Sequence, residues 1–325
     1  MNTHDWNLLQ NIRQKYLDGT AGKHDYWEST AELELYNNTF AQRIGWKWEY
    51  VLSQLDNVHW QLPNGTIIDY GCGSGIAGRK IIEHFGTEEL RLLLHDRSNR
   101  AMEFSQQAAQ LQFPNLSVEY SAPIPNFSQA TVVISHVITE LSEEQIKSLC
   151  IQVQSAQCVL WVEPGTYVAS RALLHAHQLL KSQFNVIAPC THKESYGMNT
   201  STNKRHWCHF FATPPEEAFT DRNWSRFTEE TGIDLSDLPL SYLVLDKRPT
   251  IPYKPDSMRF IARADVQKYD AIVVGCSATG VKDYVVSKRT SPEVYKLLKK
   301  GNDVGVVTPD IRGREILSLP DDNNT

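Results

Sequence analysis

The sequence predicts an α/β protein with a doubly wound parallel sheet, a helical cap before the sheet and a small β-rich unit after it. Two observations support this fold class. From Gly65 onward, short apolar runs alternate with amphipathic stretches, as expected where buried strands are joined by helices. A glycine-rich segment also connects the first run to the first helical stretch, which is the arrangement of nucleotide-binding sheets. We place the cap at residues 1–60, the sheet domain at 61–250 and the β-rich unit at 255–316.

The cap is predicted from helical spacing. Leu8, Leu9 and Ile12 recur at helical intervals, and the stretch 27–55 carries aromatic and aliphatic side chains at similar intervals. We interpret these aromatic residues as packing residues, because large aromatic side chains mostly fill cores. The cap is therefore expected to pack beside the sheet domain.

The sheet domain is predicted from apolar runs that read as strands and amphipathic stretches that read as helices. The expected strands are Thr66–Asp69, Arg91–His95, Leu116–Tyr120, Ala130–Ser135, Val159–Val162 and, further along, Leu240–Leu245. The expected helices are Ile76–Phe85, Asn99–Leu111, Glu143–Gln154 and Val168–Gln183. Buried strands that alternate with helices indicate a parallel sheet covered on both faces.

Three prolines separate the sheet domain from the C-terminal unit, because proline favours an extended connector. These are Pro249, Pro252 and Pro255. The runs that follow are Phe260–Ala264, Ala271–Val274, Asp283–Ser287 and Val304–Val307, and one helical stretch lies at Pro292–Lys299. Short β-like runs around a single helix predict a small β-rich unit.

Composition limits the classes of protein that the chain can belong to. With 325 residues, of which 41% are hydrophobic, it can bury a full core and still build a second unit. The net charge of −6 gives no overall attraction to a polyanion, so RNA binding would need a local basic patch. The polar start and the lack of a long apolar run predict a cytoplasmic protein without a membrane span.

The glycine-rich segment is Asp69-Tyr70-Gly71-Cys72-Gly73-Ser74-Gly75. Glycines let the backbone turn tightly and approach a ligand at the start of the next helix. The spacing also satisfies a dinucleotide fingerprint, which is a weak signal alone. However, the carboxylate of Asp69 would repel a pyrophosphate and attract the α-ammonium group of a methionine moiety.

Asp96 strengthens the prediction of S-adenosylmethionine. It follows the expected strand Arg91–His95, where a carboxylate can accept hydrogen bonds from ribose hydroxyls. A structural turn or another nucleotide is the alternative. The residues predicted to hold S-adenosylmethionine are Asp69, Gly71, Gly73, Gly75 and Asp96.

His136 is the candidate catalytic residue. It lies at the end of the fourth expected strand, where a doubly wound sheet opens onto its ligand. A histidine there is either a general base or a hydrogen-bonded part of the pocket wall. The segment contains no Asn/Asp-Pro-Pro-aromatic tetrapeptide, which argues against the usual N-methylation of an exocyclic base amine and leaves the acceptor atom open.

A cysteine- and histidine-containing insertion at 188–212 predicts a metal site. Cys190, His192 and Cys208 lie in a polar stretch where a buried hydrophobic cysteine would be unusual, and Cys276 would join from the C-terminal unit. Free thiols remain the alternative, because the spacing fits no C-x-x-C template. Cys190 also follows a proline, as in the nucleophile that attacks pyrimidines, but its position beyond the helix after the fifth strand counts against that role.

Several strings coincide with one known family. They are Arg43–Trp48, Ser135–Leu141, Glu163–Gly165, Ala188–His192, Trp207–Phe210 and Ser241–Leu245. Together they resemble the methyltransferase-like small ribosomal subunit assembly family, which occurs in bacteria and mitochondria. The resemblance runs from about residue 30 to residue 310, and its most specific part is the Ala-Pro-Cys-x-His string paired with Trp-Cys-His-Phe.

The resemblance implies a Rossmann-like class I methyltransferase fold, a role at the small ribosomal subunit or its rRNA and, as in many members, a [4Fe–4S] cluster on four cysteines. Three of those positions match Cys190, Cys208 and Cys276, whereas the fourth would fall at or near Tyr196, where there is no cysteine. A histidine such as His192 or His206 would then complete the set, or the site would bind zinc or no metal.

The function predicted from the sequence is that of a methyltransferase-like protein that uses S-adenosylmethionine and acts on or assembles the small ribosomal subunit. The alternatives are a non-catalytic assembly factor that binds the cofactor and a metal centre, and a methyltransferase for a small molecule or protein. Candidate RNA contacts are cations of the C-terminal unit, with a solvated mixed surface as the alternative. These cations are Lys282, Lys288, Arg289, Lys299 and Lys300.

Overall fold

The structure is a computed structural model, and it describes residues 3–17, 27–194, 198, 203–301 and 303–319. The predicted position of the fourth cysteine, at or near Tyr196, lies outside these residues. So does the stretch 18–26 of the predicted cap. Within the described ranges, no helix has both the length and the apolar character that a membrane span requires.

Three helices precede the first sheet: α1 (Thr3–Leu17), α2 (Thr30–Asn37) and α3 (Phe40–Asn57). The Ser29 side chain caps the start of α2 by accepting a hydrogen bond from the Glu32 N–H. Trp6 of α1 and Trp48 of α3 are buried in the same apolar cluster as Ile67 of the first strand. The aromatic residues of this region therefore pack against the sheet.

The first sheet has strands β1 (Gly65–Tyr70), β2 (Leu90–His95), β3 (Ser117–Tyr120), β4 (Thr131–Ser135), β5 (Cys158–Pro164), β6 (Asn185–Ala188), β7 (Phe210–Ala212) and β8 (Leu238–Asp246). Its order is β3-β2-β1-β4-β5-β8-β6, and β7 pairs with β8. The helices around it are α4 (Ile76–Phe85), α5 (Asn99–Gln112), α6 (Glu143–Val153), α7 (Tyr167–Leu180), α8 (Glu217–Thr220) and α9 (Arg222–Thr231). This order confirms the predicted α/β fold class, a Rossmann-like, doubly wound sheet.

Alternate residues of the strands fill separate cores on the two faces of the sheet. Ile67 and Val133 belong to one apolar cluster, while Ile68 and Val132 belong to the other. Side chains on a strand alternate between faces, so a strand with both faces covered is apolar at every position. This burial explains why the strands could be predicted from continuous apolar runs.

The sheet differs from the expectation in the direction of one strand. Strands β1, β2, β3, β4 and β5 are parallel to one another. Strand β8 runs antiparallel to β5, β6 and β7. The sequence predicted a strand at Leu240–Leu245 within a parallel sheet, and the parallel direction is wrong for this strand. A strand buried on both faces has the same apolar pattern in either direction, so the pattern carries no information about polarity.

A second sheet is formed by β9 (Met258–Phe260), β10 (Asp265–Val266), β11 (Asp270–Ser277), β12 (Gly280–Ser287), β13 (Val306–Val307), β14 (Asp310–Arg312) and β15 (Glu315–Ser318), with helix α10 (Pro292–Lys299) beside it. Its order is β13-β9-β11-β12-β15-β14, and β10 pairs with β11. Phe260, Val273, Val286 and Tyr295 contribute to its own core. The predicted run 260–264 begins at the last residue of β9 and extends through the segment before β10.

Arg259 connects the second sheet to the rest of the molecule. Its guanidinium is buried and donates a hydrogen bond of 2.7 Å to Gln54 Oε1 on α3. The same group lies over the ring of Phe210 on β7, with Cζ 4.7 Å from the centroid. A buried cation needs partners of this kind to offset its desolvation, so the two units are held together at a defined position.

Candidate active site

A cavity of about 590 Å³ lies at the carboxyl ends of β1, β2, β4 and β5. Strand order reverses between β1 and β4, and ligands of doubly wound sheets bind at such a switch point. The volume is within the range of small-molecule sites, about 300–1,000 Å³. Residues of α2 and α3 also line the cavity.

The glycine-rich segment forms one wall. Gly71, Gly73 and Gly75 have φ values of 71°, 52° and 74°, which L side chains rarely adopt. Gly71 and Gly73 line the cavity. Gly75 caps α4, and a Cβ atom there would lie 1.9 Å from Ser105 Oγ. A Cβ atom on Gly73 would meet nothing within 4 Å, so this glycine leaves the wall open to a ligand. Gly71 and Gly75 instead permit close packing, because a Cβ atom on Gly71 would lie 2.6 Å from Val137 Cγ2 and one on Gly75 would meet α5.

Asp69 lies beneath this loop and is not among the residues that line the cavity. Its side chain is 0% exposed. Oδ2 accepts a hydrogen bond of 3.0 Å from the Gly78 N–H, while Oδ1 has no partner among the described residues. Burial raises the pKa of Asp69 to about 7, against the lowering effect of the Gly78 N–H. The unpartnered oxygen can accept a further hydrogen bond.

Asp96 follows β2 and lines the cavity. Its Oδ2 accepts a hydrogen bond of 2.9 Å from the Gly73 N–H, and Oδ1 accepts one of 2.9 Å from the Ser98 N–H. Burial raises the pKa of Asp96, and both N–H groups act in the opposite direction. Each carboxylate oxygen has a second acceptor position, so Asp96 can hold the loop and bind hydroxyl groups at once.

His136 stands at the end of β4 with a φ of 57°. Its Nδ1 lies 3.4 Å from Ser135 Oγ, and its Nε2 lies 3.4 Å from Lys47 Nζ. The Trp48 indole donates a hydrogen bond of 3.0 Å to Ser135 Oγ. Burial lowers the pKa of His136 well below its usual value, and Lys47 lowers it further. The ring is therefore a neutral member of the cavity wall.

Two cations of α3 that the sequence analysis did not single out also line the cavity, Arg43 and Lys47. Lys47 is 7% exposed. Burial lowers its pKa to about 7, Arg43 lowers it further and Glu163 raises it. Burial also lowers the pKa of Arg43 to about 10. Basic residues four apart in a largely apolar helix share one face, and that pattern is the signal that would have revealed them.

Glu163, at the end of β5, is also missing from the predicted site. Its side chain is 0% exposed. Oε1 accepts hydrogen bonds from the N–H groups of Val137 (3.1 Å) and Ile138 (3.0 Å) and from the Trp161 indole (2.7 Å). Burial raises its pKa to about 7, against these three donors. Glu163 thus holds the segment that directly follows His136.

The predicted metal ligands lie outside the cavity lining. Cys276 Sγ is 3.8 Å from His192 Nε2. Burial raises the pKa of Cys208 well above its usual value, and the Cys190 and Cys276 thiols raise it further. We call these four residues the Cys/His group. Among residues 3–17, 27–194, 198, 203–301 and 303–319, no three histidine, cysteine or acidic side chains are placed to hold a metal ion.

The geometry does not support Cys190 as a nucleophile or His206 as a metal ligand. Burial raises the pKa of Cys190 to about 11, and the thiol does not line the cavity, so it is poorly placed as a nucleophile. His206 Nε2 lies 3.7 Å from Asp283 Oδ1 on β12. His206 is therefore engaged with the C-terminal unit, while His192 contacts Cys276.

The candidate RNA contacts do not form one patch. Lys282 lines a surface cleft together with Arg205 and Arg314. The pair 288–289 is exposed in the turn after β12, and the pair 299–300 is exposed at the end of α10. The structure thus offers separate cationic positions on the C-terminal unit.

Comparison with solved structures gives distant methyltransferases. The plantazolicin methyltransferase BamL is 12% identical, with 74% of this chain and 100% of that chain covered and a TM-score of 0.40. Magnesium protoporphyrin IX methyltransferase from Synechocystis PCC 6803 is 10% identical, with 75% and 100% covered and a TM-score of 0.39. Likenesses at this level carry no argument about the reaction. A comparison with curated proteins found no match.

Comparison with protein families is more specific. The family described as "Mitochondrial small ribosomal subunit Rsm22" matches residues 38–303. The matched region contains α3 with its two cavity cations, the glycine loop, the segment around His136 and the Cys/His group. The match covers more than half of the chain and agrees with the resemblance carried by the short strings. The protein is therefore a member of the mitochondrial small ribosomal subunit Rsm22 family.

Proposed function

We propose that the protein binds S-adenosylmethionine and acts as a methyltransferase-like factor on the small ribosomal subunit or its rRNA. One observation carries the proposal: a small-molecule cavity at the switch point of the sheet is walled by a glycine loop whose Gly73 N–H is bonded to Asp96. Membership of a family named for the small ribosomal subunit supports the partner.

The cofactor would be held by the residues that the sequence singles out. Asp96 would accept hydrogen bonds from ribose hydroxyls, and the unpartnered Oδ1 of Asp69 would attract the α-ammonium group. A Cβ atom on Gly73 would meet nothing within 4 Å, which leaves the loop open to a ligand. Together with Gly71 and Gly75, these residues fit S-adenosylmethionine, which would supply an electrophilic methyl group. His136, in the cavity wall, would contact the methyl acceptor.

Binding and transfer can be measured separately. Isothermal titration with S-adenosylmethionine tests the site, and we expect Asp96→Asn to weaken binding about 10- to 100-fold, the cost of losing charge-assisted hydrogen bonds. Glu103→Gln, on the exposed side of α5, should leave the affinity unchanged. No binding by the wild-type protein would overturn the proposal. Binding without methyl transfer to small ribosomal subunits would identify a non-catalytic assembly factor.

We propose separately that the Cys/His group binds a metal centre, either an iron–sulfur cluster or zinc. Thiolates and imidazole are the donors that both prefer, and the 3.8 Å separation of Cys276 Sγ and His192 Nε2 supports the idea. Against it stands the lack of three placed ligands in the described parts of the chain. No step of the proposed reaction therefore runs through this group.

A further inference from the structure

We propose that Lys47 accepts the proton of a methyl acceptor that reacts through an N–H or O–H group, and that His136 positions the lysine amine. The inference rests on the proposed function, because it needs a bound methyl donor in the same cavity. Lys47 belongs to α3 and not to the cofactor loop, and it lines the same cavity.

The amine is fixed by a chain of contacts between α3 and the end of β4. Lys47 Nζ lies 3.4 Å from His136 Nε2, and His136 Nδ1 lies 3.4 Å from Ser135 Oγ. Ser135 Oγ accepts the Trp48 indole N–H at 3.0 Å. Since Lys47 and Trp48 are neighbours on α3, the helix both supplies the amine and anchors the residues that orient it.

The charges around the amine favour its neutral form. The ionisable groups that face Lys47 are Arg43 on α3, His136 after β4 and Glu163 on β5. Burial and the Arg43 charge together outweigh the attraction of Glu163. A lysine with a lone pair near neutral pH is an effective proton acceptor. His136 is the weaker base, because its own pKa is held well below the usual value.

The cavity also offers room and surface for an acceptor. Trp27, Tyr36 and Phe40 contribute aromatic rings to its lining, whereas Pro164 and Gly165 lie at the end of β5. Aromatic rings stack well on planar groups such as nucleobases. A planar acceptor with an N–H or O–H group is thus the chemical class that fits.

The step balances without any further reactant. A lone pair of the acceptor nitrogen or oxygen attacks the methyl carbon, and a carbon–nitrogen or carbon–oxygen bond forms. The carbon–sulfur bond breaks, its electron pair stays on sulfur, and the products are the methylated acceptor and S-adenosylhomocysteine. The acceptor proton passes to Lys47 Nζ, which becomes an ammonium group and later releases the proton to water.

The test uses full-length protein, tritium-labelled S-adenosylmethionine and small ribosomal subunits from cells that lack the protein. We expect Lys47→Met and Lys47→Arg to slow single-turnover transfer by about 100-fold or more, in line with the loss of a general base. Arginine keeps the charge but has no lone pair to accept a proton. The affinity for S-adenosylmethionine should change little. Lys80→Met is the control, because Lys80 is paired with Glu49 and Glu83 away from the cavity.

The pH profile separates a base from a merely structural residue. The wild-type rate should rise tenfold per pH unit up to about pH 7, where Lys47 loses its proton, and then level off. Because His136 positions the amine, His136→Asn should slow transfer at every pH and leave the midpoint near pH 7. Competitive acetylation with mass spectrometry follows the Lys47 amine directly, and we expect it to titrate well below Lys80.

Three results would overturn the inference. They are transfer that Lys47→Met leaves intact, a Lys47 amine that titrates together with Lys80, and wild-type protein that binds S-adenosylmethionine but methylates neither subunits nor their free rRNA. In each of these cases cofactor binding stands. A protein that binds no S-adenosylmethionine would instead overturn the proposed function, and the inference with it.

Discussion

Asp69 and Gly78 are joined by a hydrogen bond of 3.0 Å from the glycine N–H to Oδ2 of the carboxylate. A Cβ atom at position 78 would lie 2.9 Å from that same oxygen and 3.0 Å from Leu92 Cδ1. The first turns of α4 thus approach β1 and β2 as closely as a glycine permits. This contact fixes the carboxylate beneath the loop with one oxygen occupied and the other free.

We predict that Gly78→Ala destabilises the protein by about 1–3 kcal/mol, because the added methyl group overpacks a buried contact. Urea denaturation with linear extrapolation measures the change. Gly45→Ala is the matched control, since Gly45 also lies in a helix but its Cβ atom would meet nothing closer than 3.4 Å. That variant should be equally or more stable, as alanine favours helices. Equal losses in both variants would contradict the prediction.

The raised pKa of Asp69 predicts how the ligand-free protein responds to pH. In the unfolded chain the carboxyl titrates near its ordinary value of about 4, whereas burial raises the pKa to about 7 in the folded state. The folded protein therefore binds more protons between these values, and the contribution of Asp69 to stability is present below about pH 4 and lost as pH rises to about 7. Asp69→Asn should remove a slope of about 1.4 kcal/mol per pH unit from that window.

The same group predicts the pH dependence of cofactor binding. An α-ammonium group is held by the carboxylate and not by the carboxylic acid, so the affinity for S-adenosylmethionine should rise between about pH 5.5 and pH 7. Titration calorimetry across this range measures the slope. Asp69→Asn should bind more weakly at pH 7 and show a flat profile. A variant with the wild-type slope would show that another group senses the pH.

The elements of the first sheet could be predicted because burial imposes a repeated pattern on many residues. The expected helix Ile76–Phe85 has the bounds of α4, and the run Arg91–His95 falls within β2. Strands β6 and β7 were not expected, because each has only three or four residues, at the two ends of the insertion 188–212. Such short runs carry no period, and pairing with β8 alone makes them strands.

The candidate site also contains some residues that the sequence could reveal and others that only the fold brings together. Gly71 and Gly73 belong to one loop, and Asp96 follows β2, which pairs in parallel with β1, so the alternation of strands and helices brings the three to the same end of the sheet. The contact between Lys47 and His136 joins residues that are 89 positions apart, and no local pattern reports such a pairing. Glu163 is similar, since its role is to accept N–H groups of a segment 25 and 26 residues earlier.

We predict that Glu163→Ala costs about 3 kcal/mol or more, because it leaves three buried N–H donors without an acceptor. Glu163→Gln keeps an acceptor oxygen and should cost less. Since the Glu163 carboxylate raises the pKa of Lys47, the glutamine variant should also move the Lys47 titration to lower pH. Denaturation and competitive acetylation measure the two effects. An upward shift of the Lys47 midpoint would contradict this assignment of charges.

If the Cys/His group binds a metal, substitution of one of its cysteines should remove that metal. Protein purified without oxygen should contain either iron with acid-labile sulfide or zinc, and Cys208→Ser should lose it. Cys150→Ser is the control, because Cys150 is a buried residue of α6 and lies in a different cluster from Cys208. Iron in the wild type would imply that a residue other than cysteine completes the cluster, zinc would assign a structural site, and protein without metal would remove the hypothesis.

If the C-terminal unit contacts RNA, substitution of its exposed cations should change the salt dependence of the affinity for RNA. Lys288 and Arg289 are exposed in the turn after β12, and each phosphate that such a cation neutralises releases counterions. Replacing both with serine should weaken binding to single-stranded rRNA fragments and reduce the slope of log affinity against log salt by about 0.7 per lost contact. Lys147→Ser, on the exposed side of α6, controls for the general loss of positive charge. If both variants changed the slope equally, binding would follow net charge and not this turn.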